Sequence, residues 1–424
     1  MTHFGILTPG AATGPLHTML PLGQELQRRG HRVTLFGIPE AEPKTLAAGV
    51  AFSPVGAVEF PMGASAEGLS KLGQLQGLAA LQYTIHLLNQ LSTVMLRDAP
   101  AAIKTAGVDA LLVNQGVVEG GTIAEQLQLP FVTVCSAVVL NAEPSIPPFC
   151  TPWRYSPARW ARWRNQLGYA VLNRIAQPMR DLLDDHRREW KLPRYSSPNQ
   201  AYSPLAQISQ APAEFEFPRQ ELPPWFHFTG TYHTPASRIA VPFPHDQLNG
   251  KPLIYASMGT LQNRLQWVFE TIAAACEGLE VQLVISLGGS AKPESLPDLP
   301  GKPLVVEYAP QLELLQKAVL MITHAGMNTT MECVQQGVPM VAIPVANDQP
   351  GVAARIAWTG AGECVPLRRL NVPRLRNVIQ QVLSQDSYKQ QVLRLQQATH
   401  RAGGVQRAAD IVEQAVATGK PVLA

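Results

Sequence analysis

The sequence predicts an α/β protein made of two strand–helix domains. Three observations carry this. Short apolar runs alternate with amphipathic helical stretches through the first half. The same alternation returns in the second half. Between the halves lies a proline-rich, aperiodic stretch, TYHTPASRIAVPFPHDQLNGKP, that reads as a linker. At 424 residues the chain exceeds one hydrophobic core, and an apolar content of 46% supplies two buried sheets. The expected division is residues 1–235, a linker at 236–250, residues 251–400, and a helical tail at 401–424.

Taken in order, HFGILT (3–8) is a buried strand. Residues 14–29 carry Leu16, Leu20, Leu22 and Leu26 at helical spacing, and Gly30 stops that helix. HRVTLFG (31–37) is the next strand. VDALLVN (108–114), the helical GGTIAEQLQ and LPFVTVC (129–135) repeat the unit. AQISQ (206–210) and WFHFTG (225–230) end the first half. In the second half the strands are LIYASMG (253–259), VQLVISLG (281–288), LVVEY (304–308), VLMIT (319–323) and PMVAIP (339–344). A last helix runs over about 405–416. Strand–helix–strand units of this kind predict right-handed crossovers and parallel sheets.

The chemistry concentrates in residues 308–355. His324-Ala325-Gly326 is a turn after a buried strand, and Met327-Asn328-Thr329-Thr330 opens a helix. The unpaired N–H groups of a helix start attract anions. Asp348-Gln349 follows the next strand, at the sheet edge where open α/β sheets bind ligands. A phosphate-attracting helix start, a histidine, the helix carboxylate of Glu332 and a carboxylate–amide pair are the groups a nucleotide sugar requires. Ser257-Met258-Gly259-Thr260 adds a small-residue loop after the first strand of this half, able to approach a phosphate closely.

This ordered set, Y-A-P-Q, T-H-A-G-M-N-T-T-M-E, G-V-P and D-Q, resembles the donor-binding box of the UDP-dependent glycosyltransferases that act on small lipophilic molecules. Its lean is towards the bacterial macrolide and carotenoid enzymes. The resemblance implies the GT-B architecture, with an acceptor-binding first domain and a nucleotide-sugar-binding second domain. It also implies a tail helix that crosses back to the first domain. By the same resemblance Tyr308 stacks on uracil with Ala309 beside it, and Gln311 and Glu332 hold the ribose. His324, Gly326, Asn328 and Thr329 hold the diphosphate, with the loop of Ser257, Gly259 and Thr260 against it. Asp348 and Gln349 read the hexose hydroxyls. The implied reaction is inverting transfer of a hexose, glucose first, from a UDP-sugar to a hydroxyl. The UDP-sugar is a co-substrate, and neither a cofactor nor a metal is expected.

The acceptor side departs from that pattern. The family's general base is a histidine at the start of the first helix, and Pro15 stands at its place. Pro15 reads as the first residue of the helix, with Thr13 or Gly14 as cap. His17 is two residues on, about 200° around a helix. The orienting Asp of the family is replaced by Asn114, with Glu119 beyond it. Three ways of handling the acceptor proton stay open: His17 as base with Asn114 as partner, Glu119 as base, or transfer with little base assistance. The alternative from another class is a nucleotide-sugar binding or regulatory protein with a degenerate acceptor site.

The stretch from Trp153 to Ile175 interleaves Trp153, Trp160 and Trp163 with Arg154, Arg159, Arg162 and Arg164. Helices packed on the domain, an acceptor-pocket wall and a peripheral contact with a membrane surface are its three readings. A net charge of +3 gives no case for nucleic acid. Five cysteines without metal or C-x-x-C spacing suggest buried, reduced thiols. The first strand begins at once, with no signal-peptide pattern ahead of it, and no apolar run reaches the roughly 18 residues of a membrane span. A cytoplasmic protein is expected.

Overall fold

A computed structural model describes residues 1–10, 13–232, 241–260, 265–289 and 291–424. The predicted linker at 236–250 therefore lies in part outside the described residues. The first sheet has seven parallel strands: β1 (His3–Leu7), β2 (Arg32–Gly37), β3 (Ala51–Pro54), β4 (Ala110–Asn114), β5 (Phe131–Cys135), β6 (Gln207–Ser209) and β7 (Phe226–Phe228). Their order is β3-β2-β1-β4-β5-β6-β7. The second sheet has six: β8 (Leu253–Ser257), β9 (Gln282–Ser286), β10 (Leu304–Val306), β11 (Ala318–Thr323), β12 (Met340–Ala342) and β13 (Gly362–Cys364), in the order β10-β9-β8-β11-β12-β13. All its pairings are parallel.

Every residue of β1, β4, β5 and β8 is buried, because helices cover both faces. Around the first sheet run α1 (Thr13–Arg28), α2 (Glu42–Ala47), α3 (Ser65–Leu72), α4 (Gly77–Ala106), α5 (Gly120–Leu127), α6 (Arg159–Ile175) and α7 (Gln177–Glu189). The second carries α8 (Gln266–Cys276), α9 (Gln311–Leu315), α10 (Met327–Gln336), α11 (Gln349–Thr359), α12 (Val372–Ser384) and α13 (Asp386–Arg401).

The last helix, α14 (Gly404–Thr418), packs on α1. Its Ala408, Ile411, Val412 and Ala415 join the core formed by Leu16, Leu20, Leu22 and Leu26. At the rim of that contact Arg29 pairs with Asp410 (2.7 Å) and Glu413 (2.6 Å), and His31 Nε2 lies 2.8 Å from Glu413.

Two expectations change. The strands β3 and β13 escape the sequence reading, because AFSP and GEC are short, half-exposed edge segments without an apolar run. Pro15 is the third residue of α1 rather than the first. The position is tolerated because the first four N–H groups of a helix have no intrahelical acceptor.

Candidate active site

The site forms where the carboxyl edges of the two sheets meet. β1 leads into α1 and β11 into α10, and the two helix starts touch. Asn328 makes the junction: its Nδ2 donates to the Gly14 carbonyl (2.7 Å), and its Oδ1 accepts from Gln210 Nε2 (2.8 Å) and Thr18 Oγ1 (3.3 Å). Further along the edge, Thr84 of α4 donates to Asn347 Oδ1 (3.2 Å) and Gly77 N–H to the Val345 carbonyl (3.2 Å). A residue expected on the diphosphate thus also bonds the facing sheet's first helix.

On the second sheet the expected donor residues come together. Gln311, the first residue of α9, donates through Nε2 to Glu332 Oε2 and to Thr329 Oγ1 (3.3 Å). Tyr255 OH reaches Gln311 Oε1 at 3.4 Å, an orienting contact with no local sequence signal. Glu332 is wholly buried on α10. Tyr308 is 48% exposed, so its ring face stays open to a planar ligand. It lies so close over Gly289 (φ +78°) that a Cβ there would strike the phenol ring. Ala309, half-buried, packs against the core beneath α10.

His324 is gripped by small residues. A Cβ on Gly259 would lie 2.5 Å from the ring's Cε1, and one on Gly326 would also strike the ring. This is the physical reason for glycine at both places. Burial holds the imidazole down to about 4, and a hydrogen bond to the Ser257 backbone opposes the shift only partly. His324 is therefore neutral at neutral pH, and its Nδ1 is buried with no partner among the described residues. Ser257 Oγ accepts from Gly259 N–H (3.3 Å), folding the small-residue loop, and Thr260 is exposed at its end. The α10 start has no acidic residue in its first turn and Gly326 as a cap without a side chain, so its N–H groups are not screened by a carboxylate.

Asp348 and Gln349 separate. Burial pushes the Asp348 carboxyl up to about 6, countered by its own backbone N–H and that of Val138 across the cleft. Gln349 is buried, and its Oε1 accepts from Val345 N–H (2.8 Å) and Ala346 N–H (3.1 Å). Its carbonyl therefore shapes the β12–α11 loop, a role the sequence reading did not assign.

On the first sheet, His17 is half-buried in the N-terminal turn of α1, between Gly14 and Thr18, the residues that meet Asn328. Asn114 is buried at the end of β4: Nδ2 donates to Ser136 Oγ (2.8 Å) and Oδ1 accepts from Gly116 N–H (3.0 Å). The amide oxygen thus organises the β4–α5 turn, and the amide nitrogen ties that turn to the end of β5. Glu119 is buried at the start of α5 and accepts from Ser92 Oγ of α4 (2.9 Å). Burial pushes its carboxyl up to about 7, the range of a group that exchanges protons at neutral pH. Among the described residues no three His, Cys, Asp or Glu side chains gather as a metal site.

Two parallel Rossmann-like sheets, of seven and six strands with helices around them, are the GT-B glycosyltransferase fold. Solved structures share the fold over nearly the whole chain. The calicheamicin glycosyltransferase CalG4 has a TM-score of 0.76 at 20% identity, covering 99% of this chain and 100% of that one. The glycotransferase of kitacinnamycin has 0.74 at 21%, covering 97% and 98%. The family described as UDP-glucoronosyl and UDP-glucosyl transferase matches residues 67–406, and this chain belongs to it. Zeaxanthin glucosyltransferases of Pantoea ananas and Pseudescherichia vulneris are 33% and 31% identical. Each match covers all of this chain, and 98% and 100% of those proteins respectively. The NDP-glycosyltransferase YjiC of Bacillus subtilis is 26% identical over 95% of this chain and 94% of its own. The protein is a UDP-glycosyltransferase, for which the nucleotide sugar is a co-substrate.

Proposed function

We propose that this enzyme transfers glucose from UDP-glucose, with inversion, to a hydroxyl of a small lipophilic acceptor such as zeaxanthin. The observation that carries the reading is the donor wall: an open Tyr308 ring, the Gln311–Glu332 pair and the unscreened start of α10 stand in the order uracil, ribose, diphosphate. The full-length relatives named as zeaxanthin glucosyltransferases support the choice of sugar and acceptor class.

In this reading residues 1–235 hold the acceptor and 251–400 the nucleotide sugar, with 236–250 between them and 401–424 returning to the first part. Tyr308 and Ala309 take the base, Gln311 and Glu332 the ribose. Ser257, Gly259, Thr260, His324, Gly326, Asn328 and Thr329 surround the diphosphate. Backbone N–H groups at the α10 start stabilise the charge on departing UDP. Asp348 meets the hexose, with Gln349 holding its loop. The acceptor hydroxyl loses its proton as its oxygen attacks the anomeric carbon. Glu119, with a carboxyl near 7, and His17, in the α1 turn, are the two candidate bases. Asn114 acts on this site by shaping the turn that leads to Glu119.

The test is incubation with UDP-glucose and zeaxanthin, followed by product mass and anomeric configuration. A β-glucoside is the expected product. UDP-glucose binding with no hexose adduct on zeaxanthin, sterols or phenols would favour a nucleotide-sugar binding protein instead.

A further inference from the structure

The outer face of α6 is unusual for a protein surface. Trp160, Trp163, Leu167 and Val171 are 60%, 72%, 69% and 51% exposed. Their spacing of three, four and four residues places them on one stripe at 100° per residue. The helix carries Arg159, Arg162, Arg164 and Arg174 and no acidic residue. The Arg164 guanidinium lies over Trp153 (4.8 Å) and Trp160 (5.2 Å), so it stays beside the aromatic rings. Glu221, 3.9 Å from Arg162, gives the stripe's flank a single loose ion pair.

The inner face of α6 is anchored. Ala161 and Asn165 are buried, and Asn165 Nδ2 donates to the Pro144 carbonyl (3.1 Å). A Cβ on Gly168 would lie 2.9 Å from both Pro148 and Trp153. The segment leading from β5 to α6 also lines the cleft. The Val138 backbone favours the ionised form of Asp348, and the Phe149 backbone packs directly against Gly351 of α11. The segment at 136–158 that leads into the exposed stripe therefore also packs against the Asp348 edge of the site.

We propose that this face of α6 docks the enzyme on a bilayer containing anionic phospholipid. The charge pattern chooses that occupant. Tryptophan rings settle at the interface between headgroup and acyl chain, and arginines pair with anionic headgroups at the same depth. The inference draws its purpose from the lipophilic-acceptor reading, since such an acceptor is dissolved in the bilayer. Its chemistry is independent of that reading.

The test is co-sedimentation of the full chain with phosphatidylcholine vesicles, with and without phosphatidylglycerol, read also by tryptophan fluorescence. The wild type binds the anionic vesicles, with a blue shift, and releases them as salt rises. W160S/W163S loses at least about tenfold in vesicle affinity. R159Q/R174Q loses about tenfold at low salt. Both variants keep wild-type UDP affinity by calorimetry, which shows they are folded. Equal binding by wild type and W160S/W163S, or no preference for anionic vesicles, overturns the proposal. So does a concentration-dependent dimer that the tryptophan variant abolishes while vesicle binding is absent, because a second copy would then cover the stripe. Vesicle binding without hexose transfer would overturn the acceptor reading and leave the docking face standing.

Discussion

In the proposed transfer Glu119 and His17 are the two candidate bases, and single variants separate them. The Glu119 carboxyl is raised to about 7 by burial. A carboxyl whose folded value is raised adds stability that is full below its unfolded value near 4.5 and is lost as pH rises through about 7. Glu119→Gln removes that loss. In urea unfolding it should gain on the order of 2–3 kcal/mol over wild type at pH 8 and almost nothing at pH 4. If Glu119 takes the proton, the same variant loses roughly 10²–10⁴ in turnover while UDP binding is kept. His17→Ala then has little effect; the opposite pattern assigns His17. His324 runs the other way. Its folded value is depressed to about 4, so its contribution is present above about 6.5 and disappears as pH falls towards 4. His324→Gln should flatten the loss of Tm between those values, and an unchanged slope would show that the ring is not held neutral.

At the scale of an element, the loop from β12 to α11 depends on one side chain. Gln349→Ala leaves the Val345 and Ala346 N–H groups without their acceptor in a buried loop, at a cost of about 1–3 kcal/mol. Gln349→Glu keeps the acceptor oxygen and should retain most of the stability. A Glu variant that is stable yet poor in kcat/KM with UDP-glucose would place the amide nitrogen on the hexose. An Ala variant as stable as wild type would remove the loop role. Elements also differ in legibility. VLMIT and HFGILT are buried on both faces and read as strands at once, whereas β3 and β13 each pair with one strand, β2 and β12. Their strand character comes from a neighbour, not from their own pattern.

Across the whole molecule, the two sheets are tied by a buried ion pair. Arg355 of α11 meets Glu216, which lies between β6 and β7, at 2.8 Å through Nε, and its guanidinium covers the Phe217 ring at 4.4 Å. Both side chains are nearly inaccessible. Burial lowers the arginine and Glu216 raises it again, while Arg355 and Arg219 hold Glu216 below its usual value. Arg355→Met leaves Glu216 with the more distant Arg219 (3.6 Å) and should cost about 3–5 kcal/mol. The R355M/E216M double variant should recover much of that, because the Arg219 left behind keeps Glu143 at 3.8 Å and the Asn141 and Val139 carbonyls. Urea unfolding of the four-member cycle measures it, and additive losses would mean the two residues do not act as a pair.

The alternation of strands and helices, the division into two α/β halves and the order of the polar groups from Tyr308 to Gln349 are all legible in the amino-acid sequence. Each is a property of contiguous residues: periodicity, a turn after a strand, a helix start at a sheet edge. What those groups face depends on distant segments that come together in the folded chain. Asn328 meets Gly14, more than 300 positions away, Asp348 meets Val138, and Arg355 meets Glu216. The values near 4, 6 and 7 for His324, Asp348 and Glu119 follow from burial by segments distant in the chain. Desolvation depends on everything packed around a group, so no local pattern can reveal it.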